Sequence, residues 1–211
     1  EGAQQAYETA LPIYREIKDR LGEANCLNGI GNIHLIQGSA REAFVRYANT
    51  LQVFREVGDR LGQQASLGYL AKALSSAGQH HQALLVAEES LALGRQIMDV
   101  FGQQITLRTQ LGIWYSLGES GGFLFTAIEL MDVAARLRDE VTLKQMKGIL
   151  EQFKPALPDV ELQEIENDPE AFRLAAIERV REQFEKTSRD LFDPPPEESG
   201  DDEDETGARR V

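Results

Sequence analysis

Apolar residues recur along this chain at spacings of three and four, and glycines interrupt them at regular intervals. Before Gly38 the positions are Leu21, Ala24, Leu27, Ile30, Ile33 and His34; after it they are Ala43, Phe44, Tyr47, Leu51, Phe54 and Val57. Each set fits one face of a helix. Gly38 supplies a left-handed residue that closes the first helix. Ser39 and Glu42, three residues apart, read as a capping box for the second. The whole pattern returns with a period of 40 residues: Gly22, Gly62 and Gly102; Gly38, Gly78 and Gly118; Leu11, Leu51, Leu91 and Met131; Asp19, Asp59, Asp99 and Asp139. Four residue classes in one register establish an internal repeat. Each aspartate precedes a first helix and is placed to cap it, with its carboxylate at the positive helix end.

A repeated helix–turn–helix cannot bury its apolar stripe alone, but stacked neighbours can. The predicted fold is therefore an all-α, right-handed α-solenoid of antiparallel helix pairs with a C-terminal capping helix. Residues 1–154 make the solenoid: a half repeat, three full units and one further first helix. Residues 1–18 align with a second helix through Ala3, Tyr7, Leu11 and Ile17, and Pro12 is expected to bend or weaken it. The chain opens inside a repeat, which implies a fragment of a longer protein. Val141, Leu143, Met146, Ile149, Leu150 and Phe153 form the fourth first helix, ended by Pro155 and Pro158.

Residues 155–192 are read as the cap. Asp168-Pro169-Glu170 announces a helix to about Leu191, with Phe172, Ala176, Val180, Phe184 and Leu191 as its stripe. The expectation is a helix folded back over the open face of the last repeat; a partner-binding or dimerising helix is the alternative. Residues 193–211 are proline-rich and acidic and are expected to be a disordered, solubilising tail.

The helix-A residues Leu27, Ile30-Gly31 and His34 and the helix-B residues Ala43 and Tyr47 resemble the tetratricopeptide repeat signature. Leu67, Leu70-Ala71, Leu74 and Ala83 repeat it, with Ala87 where an aromatic is usual. The third unit departs from it: Leu111-Gly112 is displaced by one position and Phe123 replaces the small residue. The 40-residue period exceeds the usual period of about 34 and is similar to the long variety in kinesin light chains and bacterial signalling proteins. The resemblance covers residues 1 to 154 and speaks to fold more than function.

The formal net charge of −13 argues against nucleic acid or an anionic membrane as partner. The single cysteine, Cys26, excludes an internal disulfide framework, reads as a small core residue and fits a cytoplasmic location. No apolar run is long enough to span a membrane. His34 stands where a packing aromatic is usual and reads as a core imidazole. His80 and His81 are adjacent, diverge on a helix and have no acidic or thiol residue spaced to complete a metal site. Trp114 reads as core. Gly29, Gly31, Gly121 and Gly122 lack the strand and lysine of a phosphate loop. No catalytic set, metal or cofactor is expected.

What remains is surface. The resemblance implies a concave groove lined by first helices that receives a peptide or helix. By register its residues are Asn25, Asn28 and Asn32, then Tyr69 and Lys72, then Arg108. The asparagines can pair with a peptide backbone, and Lys72 and Arg108 with carboxylates. The expected function is a non-catalytic protein–protein interaction scaffold, with self-association possible through exposed solenoid ends. The alternative is a sensor or regulatory segment of a larger signalling protein, beside a nucleotide-switch ATPase or caspase-like protease.

Overall fold

The computed structural model describes residues 2–153, 155 and 157–192, the last six by backbone alone. The expected tail at 193–211, and the side chain of Leu191, lie outside the described residues. Ten helices are present among the described residues. They are α1 (Gly2–Glu16), α2 (Arg20–Ile36), α3 (Ala40–Val57), α4 (Arg60–Ser76), α5 (His80–Gln96), α6 (Val100–Leu117), α7 (Ser120–Leu137), α8 (Glu140–Phe153), α9 (Asp159–Asn167) and α10 (Pro169–Phe192). Each of α1 to α8 packs on the next, and α4 also touches α6. The molecule is an α-solenoid of stacked helix pairs. First helices of neighbouring units share one side of the stack. α10 lies on the other side, against the second helices α5 and α7.

The register of the sequence is written into the backbone. Gly38, Gly78 and Gly118 take φ of 79°, 77° and 74° at the turns inside units, and Lys18, Gly58, Met98 and Arg138 take 58°, 74°, 58° and 56° at the turns between units. A left-handed residue therefore recurs every 20 residues from Lys18 to Arg138. Glycine meets this need without strain; the three side-chain-bearing residues adopt a conformation that disfavours a Cβ by about 1–2 kcal/mol. They are held there by hydrogen bonds such as Asp99 N–H to Gly94 O (2.9 Å) and Asp139 N–H to Ala134 O (2.9 Å).

The four periodic aspartates cap as their positions require. Asp19, Asp59 and Asp99 accept the backbone N–H of Gly22, Gly62 and Gly102 at 2.9–3.0 Å, and Asp139 accepts that of Thr142 at 3.0 Å. An Asp59→Ala variant should lose about 1 kcal/mol of stability, read as a lowered midpoint in urea with unchanged helix content. The expected capping box at Ser39 and Glu42 does not form: Ser39 makes no side-chain cap bond. Its ψ of 65° lies outside the extended region used by Asp19 and Asp59, at 92° and 97°. Pro12 is accommodated within a continuous α1.

Leu84, Leu91, Leu107 and Leu130 are fully buried between units, each worth roughly 1.5–3 kcal/mol. Cys26 and Trp114 are core residues, as expected, whereas His34 is only half-buried. Leu21, Phe44 and Val57, assigned by spacing to buried faces, are exposed. Between units two and three the packing changes character. Gly94 stands one period after Phe54, and buried polar side chains fill the space an aromatic would occupy. Gln103 Nε2 donates to Gly94 O (3.0 Å), Ser90 Oγ donates to Gln64 O (2.9 Å), and Thr106 Oγ1 donates to Gly102 O (3.0 Å) and lies 3.1 Å from Ser90 Oγ. Every bond in this seam is satisfied locally, so the polar core is tolerated.

α10 does not sit over the end of the stack. It crosses the second-helix side of units two and three. Phe172 packs with Leu124 and Phe125 of α7, while Ala176, Ile177 and Val180 join Leu84 and Ala87 of α5 and Ile113 and Trp114 of α6. Arg173 forms an ion pair with Glu88 of α5 and a second with Glu170, and Gln110 Nε2 donates to Glu88 Oε1 at 2.6 Å. This route leaves the outer side of α8 uncovered by α10, and Val141 there is exposed.

Candidate functional site

The first helices carry a repeating stripe at spacings of four, three and four. In α2 it runs through Leu21, Asn25, Asn28 and Asn32; in α4 through Leu61, Ala65, Gly68 and Lys72; in α6 through Phe101, Ile105, Arg108 and Gly112. Positions so spaced share a helical face. The Asp caps fix where each helix starts, so the stripes of successive units lie side by side.

The expected site residues have separate local roles. Asn25 and Lys72 are exposed. Asn28 is half-buried, and its Oδ1 is buried without a hydrogen-bond partner. Asn32 Oδ1 accepts from the hydroxyl of Tyr47 at 2.8 Å, and Tyr47 stacks on Tyr69 with ring centroids 5.1 Å apart and planes 17° from parallel. Burial pushes the Tyr47 phenol well above its ordinary range, which keeps it a neutral donor to Asn32. Arg108 reaches α8, where it bonds Thr142 and lies 3.8 Å from Asp139. Bonds from the Thr142 hydroxyl and backbone N–H, helped by Gln104 and then by Arg108, hold the Asp139 carboxyl below its ordinary range. Tyr69 and Asn32 are thus joined through Tyr47, Lys72 projects freely, and Arg108 shares its charge with the next unit.

Between α4 and α6 the same face opens into a pocket of about 310 Å3. Its walls are Leu61, Ala65, Tyr69, Phe101 and Ile105; Gln64, Gly68, Gly102 and Thr106 of the buried polar seam and the cap residue Asp99 also line it. Lys72 lies one turn beyond Gly68, and Arg108 three residues beyond Ile105. The pocket is apolar on its walls, and Asp99, the cap of α6, is its charged lining residue.

Reasoning from sequence alone passed over these apolar residues. Leu21, Leu61, Phe101 and Val141 are 48%, 57%, 63% and 68% exposed. The signal that could have found them is the repeat itself: each stands two residues after a cap aspartate, where the helix has just begun and no neighbouring unit covers it.

Residues 27–96 match a family model described as tetratricopeptide repeat, and no curated protein matches the chain. Residues 27–96 belong to the tetratricopeptide repeat family. The match begins in α2 and ends with α5, so it takes in the two regular units and stops before the third, where Phe123 and the displaced Gly112 break the pattern. Tetratricopeptide repeats form a non-catalytic family that generally mediates protein–protein interaction. Among the described residues, no three histidine, cysteine or acidic side chains are grouped to hold a metal, and no helix is long and apolar enough to cross a membrane.

Proposed function

We propose that this chain is a non-catalytic interaction module that holds an extended peptide along its first-helix face. The observation that carries the reading is the pocket between α4 and α6. Exposed Leu61, Phe101 and Ile105 surround it, with the half-buried Tyr69 ring as one wall. Apolar walls with a few convergent polar groups are what a side-chain anchor site requires. The bound segment places a large apolar side chain there and an acidic side chain or terminal carboxylate near Lys72. One unit away, exposed Asn25 pairs with the backbone of the same peptide through its side-chain amide.

Affinity capture with the 211-residue chain, followed by titration of the retained protein, tests the reading. Ile105→Asp, at an exposed position, should weaken binding about tenfold or more, or roughly 1.4 kcal/mol. Lys72→Glu should mainly slow association, and the difference from wild type should shrink as salt is raised. Wild-type affinity in both variants, with unchanged helix content, would remove the first-helix face from consideration.

A further inference from the structure

The groove that receives α10 exists twice. In units two and three Leu84, Ile113 and Trp114 share a core cluster with Ala176, Ile177 and Val180 of α10, and Leu117 packs against that cluster. One period earlier stand Phe44, Ala73, Leu74 and Ala77. These four, with Ala40, Arg41 and Gln79, line an open groove of about 380 Å3 on the α3 side of units one and two. Among the described residues nothing fills it: Phe44 is 38% exposed, whereas its counterpart Leu84 is fully buried. The two grooves are also continuous in direction. α10 runs from Phe172 on α7 back to Val180, whose cluster includes Leu74, and Leu74 also lines the open groove.

We propose that the groove formed by Ala40, Phe44, Ala73, Leu74 and Ala77 docks an amphipathic helix of a partner protein, with small and β-branched residues on its apolar face and a carboxylate beside them. The fit of a helix is set by α10, which shows what this wall shape accepts one repeat further on. The charge follows from two differences between the grooves. Arg173 of α10 is anchored by Glu88, but Ala48 holds the equivalent position one period earlier. Exposed Arg41, two turns before Ala48 on α3, lines the open groove. The α10 helix of a second copy would therefore bring Arg173 to a site with no acidic anchor, and a helix bearing a carboxylate suits it better. This surface is on the opposite side of the stack from the first-helix pocket and stands independently of it.

The probe is a synthetic peptide of residues 169–186 carrying Arg173→Ala, which removes the cation that would meet Ala48 and keeps Glu182 and Glu185 in the turns after Val180; it is labelled at its N-terminus and titrated against the full chain by fluorescence anisotropy. Saturable binding is expected, weakened at least tenfold by Phe44→Asp and several-fold by Arg41→Glu. The sole tryptophan, Trp114, sits in the groove that α10 already fills, so its emission should not change on titration. If Phe44→Asp lowers helix content, Arg41→Glu alone decides. No binding, binding indifferent to these substitutions, or a Trp114 change that reports displacement of α10 would each overturn the proposal.

Discussion

Replacing Glu88 by alanine should cost on the order of 3 kcal/mol and release α10 from the stack. Glu88 and Arg173 are mostly buried where α10 crosses α5. Removing one partner of a buried pair leaves the other charge uncompensated, which typically costs about 3–5 kcal/mol. Glu170 retains a contact with Arg173, so the lower end applies. Trp114 shares the cluster with Ala176, Ile177 and Val180, and its emission should shift to the red as water enters. The pH dependence separates the ion pair from simple packing. Burial is the largest influence on Glu88 and raises its pKa above the ordinary 4.5, against the opposing pull of Arg173. The folded state then holds the Glu88 proton more tightly than the unfolded state. Stability from this group is present at low pH and is lost as pH rises from 4.5 through the raised value. Glu88→Gln lacks that slope, so its stability relative to wild type should improve with pH across the same window. Denaturant midpoints at a series of pH values give the comparison. Parallel profiles for the two proteins would mean that Glu88 is solvated and that α10 is held by its apolar stripe alone.

Two glycines in first helices should respond to alanine with opposite signs. A Cβ at Gly62 would lie 2.4 Å from the Phe54 ring, a buried side chain with little room to move. Overpacking of this kind costs about 1–3 kcal/mol. A Cβ at Gly112 meets nothing within 4 Å. There the substitution should stabilise by up to about 1 kcal/mol through helix propensity. Thermal melts of the two variants therefore move in opposite directions. The contrast identifies Gly112 as a residue that has left the packing face, as the displaced signature of the third unit implies. In that unit the close approach has passed to Gly122, where a Cβ would lie 2.6 Å from the Trp114 ring. Phe123, left half-buried beside it, packs against Phe153 at 5.3 Å.

Repeat architecture was legible in the sequence because one register controls several independent physical needs. Cap aspartates, left-handed turn residues and core leucines all recur at 40 residues, and each can be read without knowing the others. Positions that answer to a neighbour in space were less legible. Phe44 and Leu84 occupy the same place in the period, yet one is exposed and one buried, because α10 covers only the second. Spacing could not reveal where α10 lies, since its stripe fits any groove of the same shape. The residues of the expected polar row lie on the first helices. Its members, however, differ in what they can offer a ligand: Asn32 and Arg108 already hold partners, whereas Lys72 projects into open solvent. The apolar half of the face was missed because an amphipathic reading assigns every leucine and phenylalanine to the core. At Leu61 and Phe101 that assumption fails, since they begin their helices ahead of any covering element.

Hydrogen exchange of the captured partner complex tests the binding account most directly. Slowed exchange should concentrate in residues 61–72 and 101–109, the stretches of α4 and α6 that flank the pocket, with a smaller effect around Asn25. Protection confined to the second helices, with α4 and α6 exchanging as in the free protein, would contradict it.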